Sequence, residues 1–187
     1  MIADVFTSQA TFRVLLDVLA HPGRVRRLPD GAPGDGVPAA LAVPLALADL
    51  GQSVAVVGAG APRWSDHLVT AVSCRIAAPR DADQVVVLDG ADPELVLSLR
   101  RGDALAPERG CRLALACDAL GAGALELALR GPGVPATASL RVGGLRADVA
   151  TAIAEANRHF PAGVDTFLVA ADGSVAGLPR STTIEVR

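Results

Sequence analysis

The sequence predicts an α/β sandwich, a mixed β-sheet with helices packed over it, and three observations predict it. Segments with helical apolar spacing alternate with short, almost wholly apolar runs such as residues 53–57 and 84–88. From Cys111 onward two alternating strands follow one another without an intervening helix, which adds antiparallel pairing. Asp172-Gly173 lies between two apolar segments and is the strongest short-range hairpin signal in the chain.

Taken in order, residues 8–20 place Phe12, Leu15, Leu16 and Leu19 at i, i+3, i+4 and i+7, the stripe of an amphipathic helix. Ser8 is its expected cap, and His21-Pro22-Gly23 stops it. Arg13 and Asp17, one turn apart, are expected to pair weakly on its outer face. A Gly/Pro-rich loop follows. Residues 39–51 are helical by composition, yet Pro44 must kink or break that helix unless it starts there. After the strand at 53–57, Trp64, Leu68 and Val72 mark a second helix. The apolar run at 84–88 is another strand, and Asp92 caps a helix with Pro93 at its first position.

Residues 111–117 put Cys111, Leu113, Leu115 and Cys117 on one strand face. Residues 124–131 do the same for Leu125, Leu127 and Leu129, with Glu126 opposite. The glycines of "DALGAG" (118–123) are expected to turn the chain between these two strands. Residues 145–160 form a helix with Leu145, Val149, Ile153 and Ala156 inward, and the hairpin around Asp172-Gly173 follows.

At 187 residues the chain suits a single domain, 1–187, that buries roughly 70% of its unfolded surface without staples. Aromatics are only 3%, so the core is built from Ala, Val and Leu. A net charge of −3 points away from nucleic acid and from an anionic membrane as partner. All 17 cationic side chains are arginine, so no side chain can form a Schiff base. Cys74, Cys111 and Cys117 are odd in number and lack metal-ligand spacing, as expected for free thiols in a reducing compartment. No signal segment or 18-residue apolar run is visible, so the expected location is cytoplasmic.

Candidate chemistry is sparse. Gly58-Ala59-Gly60 after a strand begins a dinucleotide fingerprint, but Arg63 stands where the third glycine belongs, and a plain Gly-rich turn is the simpler reading. His21, His67 and His159 are far apart in sequence, so no metal site is expected. Arg24, Arg26 and Arg27 form the densest positive cluster, either a solvated edge or a contact for an anion or partner. Arg180, fixed by Pro179 and followed by Ser181, Thr182 and Thr183, offers a planar guanidinium beside hydroxyl donors. Such a group could hold a phosphate or carboxylate. It could equally pair with Asp165 and finish the hairpin.

Three stretches in series carry a family resemblance: Phe12–Val25, Ala106–Leu115 with its A-P-E-R-G, and His159–Val186 with F-P-A-G-V-D and P-R-S-T. Together they resemble the PhnH family, a subunit of the bacterial carbon–phosphorus (C-P) lyase machinery for phosphonate catabolism. The resemblance implies a fold similar to pyridoxal-phosphate-dependent transferases, a three-layer sandwich with a mixed sheet, here without the lysine that holds the cofactor. It implies no cofactor and partnership with PhnG, PhnI and PhnJ, the subunit forming homodimers when alone. It further implies support for the synthesis of α-D-ribose 1-methylphosphonate 5-triphosphate from ATP and methylphosphonate, without an active site of its own. No catalytic residue carries over, so Arg180, Ser181, Thr182, Arg24 and Arg26 stand as anion-binding or interface candidates. The rival expectations are a free-standing phosphate- or nucleotide-binding enzyme and a generic dimerisation module.

Overall fold

The computed structural model describes residues 5–187, so the start of the N-terminal stretch read as lacking a signal segment lies outside the described residues. A seven-stranded mixed sheet runs in the order β1-β9-β8-β5-β4-β2-β3. Its strands are β1 (Arg26–Arg27), β2 (Ser53–Val57), β3 (Arg75–Ile76), β4 (Gln84–Val87), β5 (Arg112–Cys117), β8 (Asp165–Ala170) and β9 (Ser174–Leu178). Strands β8, β5, β4, β2 and β3 are mutually parallel, and β9 and β1 continue the sheet antiparallel. The continuous apolar runs of β4 and β8 are explained by burial on both faces, as the parallel centre of such a sheet requires.

One face is covered by α1 (Val5–Ala20), α2 (Ala42–Leu47) and α3 (Ala61–Val72), whose Leu15, Val18, Val43 and Leu68 pack on Val54, Val86, Phe167 and Val169. The other face carries α4 (Pro93–Ser98), α5 (Ala147–Ala156) and a second, three-stranded antiparallel sheet. That sheet is ordered β10-β6-β7, from β6 (Ala119–Arg130), β7 (Ala138–Gly143) and β10 (Thr183–Val186). Its Leu127, Leu129 and Leu140 join Leu113, Leu115, Ile153 and Leu168 in one core. The α/β class and mixed sheet are as expected. Among the described residues no helix is long and apolar enough to cross a membrane.

Several local expectations hold for chemical reasons. The Asp92 carboxylate accepts from the Glu94 amide at 3.0 Å and Pro93 opens α4. Ser174 donates to Asp172 from its amide, with Gly173 at φ +85°, between β8 and β9. Leu145, Val149, Ile153 and Ala156 are all buried. Pro44 falls in the first turn of α2, where a missing N–H leaves no helical bond unmade.

Four expectations change. Ser8 is not the cap of α1 but lies inside it, since the helix already runs from Val5. "DALGAG" is no turn between paired strands: β5 and β6 belong to different sheets, and from Ala119 onward these residues begin β6 itself. Gly121 and Gly123, both at positive φ, form an irregularity between Leu120 and Leu125, where a Cβ on Gly123 would collide with the Val142 backbone. The buried side of α1 is rotated from the expected stripe. Leu15 and Val18 point inward while Phe12 and Leu16 face solvent, because Gly177 of β9 lets the helix backbone at Val18 come close. Asp17 does not turn to Arg13; it takes His21, Arg24 and Arg26 from the segment after the helix.

Candidate functional site

Arg180 follows Pro179 at the end of β9, in a turn closed by the Thr182 amide donating to the Pro179 carbonyl at 2.8 Å. The arginine turns inward. Its Nη2 donates to Asp165 Oδ2 at 2.6 Å, its Nε lies 3.1–3.2 Å from both Asp165 oxygens, and its own amide donates to Oδ1 at 2.9 Å. Nη1 donates to the Pro107 carbonyl. All three guanidinium nitrogens thus donate to protein, an arrangement that satisfies a desolvated cation.

Two of the three stretches that carry the family resemblance, Ala106–Leu115 and His159–Val186, meet at this joint. Pro107 and Gly110 come from A-P-E-R-G, Gly163 and Asp165 from F-P-A-G-V-D, and Arg180 from P-R-S-T. A Cβ on Gly110 would meet Arg180 Nη1 at 2.6 Å and strike the Gly163 carbonyl. The Gly163 amide donates to the Arg101 carbonyl at 2.7 Å, and buried Asn157 exchanges two hydrogen bonds with the Val164 backbone. Of these partners the sequence reading anticipated only Asp165. Pro107, Gly110, Gly163 and Asn157 were missed, although the A-P-E-R-G stretch was visible.

Ser181 is half-buried, Thr183 is exposed, and Thr182 is buried with an Oγ1 that meets no hydrogen-bond partner. They flank a groove of about 460 Å³ beside α5. Both arginines on that groove are neutralised, Arg180 by Asp165 and Arg158 by Glu155. The groove therefore offers an anion hydroxyls but no uncompensated cation.

Arg24 and Arg26 are not brought to Arg180. Arg24 Nη1 lies 3.3 Å and Arg26 Nε 3.1 Å from the Asp17 carboxylate, which also holds His21 Nδ1 at 3.0 Å. Arg26 and Arg27 are β1, the edge strand beside β9, and charges there guard the edge against further pairing.

At the carboxyl ends of β2 and β4 the connections leave in opposite directions, the crevice where open α/β sheets bind ligands. Here the Ala59 amide donates to the Asp89 carboxylate at 2.8 Å, and a Cβ on Gly58 would touch Asp89 at 3.0 Å. The amide that would greet a phosphate is taken by the protein's own Asp89 carboxylate. The neighbouring cavity, about 410 Å³, is lined by Asp89 and Asp118 with Arg146, itself paired to Asp148.

At the opposite end of the sheet, Asp83 accepts from the Ser53 amide (2.8 Å), Ser53 Oγ (2.7 Å) and Arg100 Nη2 (2.9 Å). Burial alone would raise its pKa. The Ser53 bonds and the Arg100 charge outweigh burial and hold it below the ordinary value. All three cysteines are free and buried. Burial pushes the Cys111 thiol up to about 12 and the Cys117 thiol up to about 11, the reverse of an activated nucleophile. His67 packs edge-on to Trp64, and among the described residues no three His, Cys, Asp or Glu side chains are grouped to hold a metal ion.

Two similar proteins align with nearly the whole of this chain. A C-P lyase subunit protein, HtxG, of Stutzerimonas stutzeri is 32% identical over 179 residues, covering 96% of this chain and 86% of its own. The alpha-D-ribose 1-methylphosphonate 5-triphosphate synthase subunit PhnH of Rhizobium meliloti is 33% identical, covering 97% of this chain and 92% of its own. The family model described as bacterial phosphonate metabolism protein (PhnH) matches residues 2–185. Matched by that model over nearly its whole length and by both relatives at about a third identity, this chain belongs to the PhnH family.

Proposed function

We propose that this chain is an accessory subunit of a C-P lyase assembly, without an active site of its own. It would support synthesis of α-D-ribose 1-methylphosphonate 5-triphosphate from ATP and methylphosphonate by docking to PhnG, PhnI and PhnJ, in the cytoplasm, and would pair with itself when they are absent. The two relatives are named for this system. The observation that carries the non-catalytic reading is Arg180: the best cation for an anionic substrate is bonded to Asp165 and Pro107 instead. The Asp89 carboxylate at the sheet crevice supports the same reading, since it repels the phosphates such a crevice would otherwise take. The absence of lysine from the sequence fits a single domain that keeps a pyridoxal-phosphate-transferase-like fold without that cofactor's chemistry.

Titration calorimetry of the isolated protein with ATP and with methylphosphonate tests this. An accessory subunit gives no binding heat with either, whereas submillimolar binding of one of them rejects the proposal. Arg180→Ala adds a second readout: the accessory reading expects loss of folded protein, and a fully folded variant that fails to support growth on methylphosphonate contradicts it.

A further inference from the structure

The outer side of α1 is apolar without cover. Phe6, Phe12 and Leu16 are 78%, 47% and 58% exposed, and Val5 continues the patch at the helix start. Beside it, α1 and α2 enclose a groove of about 320 Å³ with Leu15 and Phe167 at its floor and Leu19 and Leu47 on its walls. The composition makes this unusual. The chain has four phenylalanines and one tryptophan, and two of those five large aromatics stand in water on one helix. Exposed aromatics of this kind are what interface centres are made of.

Charge identifies the occupant. The chain carries a net −3, yet this flank is basic: Arg13 on α1 is exposed, as are Arg24, Arg26 and Arg27, against Asp17, which pairs with His21, Arg24 and Arg26, and Asp172, which feels the charge of Arg27. Arg112 lines the groove's end, next to an Asp165 already committed to Arg180. A second copy seated here by two-fold symmetry would bring two basic rims together. The apolar patch offers on the order of 400 Å², about half the footprint of one side of a standard interface, so the arginines must supply much of the rim.

We infer that the α1 face and the α1–α2 groove dock an amphipathic helix of another protein, apolar at i, i+3 or i+4 spacing and flanked by aspartate and glutamate. The inference rests on the accessory-subunit reading and adds to it the surface and the chemistry of the segment that meets it.

The test co-expresses the tagged chain with the PhnG, PhnI and PhnJ of its own organism and measures recovered complex by native mass spectrometry. Phe12→Ser with Leu16→Ser, in exposed positions, is expected to leave the circular-dichroism melt in place and cut recovery at least tenfold. Arg24→Glu with Arg26→Glu is expected to cut it at least fivefold, and added salt should weaken the unaltered complex. Recovery of the Phe12/Leu16 variant at the unaltered level overturns the docking site while leaving the accessory reading intact. So does a Phe12/Leu16 variant that turns a homodimer into monomers but still assembles, because the face then belongs to a second copy. If the unaltered chain fails to assemble with the three subunits, the accessory reading falls and this inference with it.

Discussion

The two arginine sites visible in the sequence end in opposite conditions. Arg180 and its partner Asp165 keep 13% and 22% of their side chains in solvent, and the fork's donors reach Asp165 and the Pro107 carbonyl. Arg24 and Arg26 keep 48% and 52% exposed and crowd one carboxylate, Asp17, already shared with His21. The same side chain is therefore a fixed strut in one place and a hydrated charge in the other. What separates them is whether the backbone comes close enough to exclude water. Around Arg180 it does, because Gly110 and Gly163 have no Cβ to hold it off.

The contrast can be broken most forcefully at Asp165. Asp165→Ala leaves a desolvated guanidinium without its partner and should cost about 3 kcal/mol, read from urea unfolding. A loss below about 1 kcal/mol would show that water reaches Arg180 after all. Gly110→Ala tests the close backbone approach and should cost about 1–3 kcal/mol by overpacking against Arg180 and Gly163. Native-like stability of that variant would mean the joint has slack.

The Asp83–Arg100 pair sits between the extremes, about one-third exposed on both sides. Its carboxyl is held below the ordinary 3.8, so its contribution is full above that value and is lost as pH falls through it toward the folded pKa. Thermal melts should therefore soften as pH falls below about 3.8, by about 1 kcal/mol or less after allowance for solvent screening. Ser53→Ala should flatten that acid limb, and an unchanged limb would assign it to other carboxylates. Smallest of all, Arg24→Ala or Arg26→Ala should shift stability by less than about 0.5 kcal/mol. A larger effect at either would show that the exposed cluster is also a strut.

Features set by neighbouring residues were legible in the sequence. The Asp92-Pro93 cap, the Asp172-Gly173 hairpin and the inward face of α5 each depend on chemistry within a few positions. Features set by distant pairing were not. Strands β1 and β3 have two residues each and exist only through β9 and β2. β7 and β10 carry charged residues on their open sides and owe their pairing to β6. The glycines at 121 and 123 were misread because a turn and a bulge ask for the same positive φ. At the site, the Arg180–Asp165 pair was one of two open readings. Nothing local in the sequence pointed to Pro107 as its third member.

Pro107 and Arg180 are 73 positions apart along the chain. Bringing ends so distant together costs chain entropy that only an already ordered sheet can offset. The joint is thus expected to latch late, after the transition state, and to act on the lifetime of the native molecule. In stopped-flow experiments Asp165→Ala should quicken unfolding and leave the refolding rate nearly untouched. Persistence, more than speed of formation, is then what this arginine contributes to the native molecule.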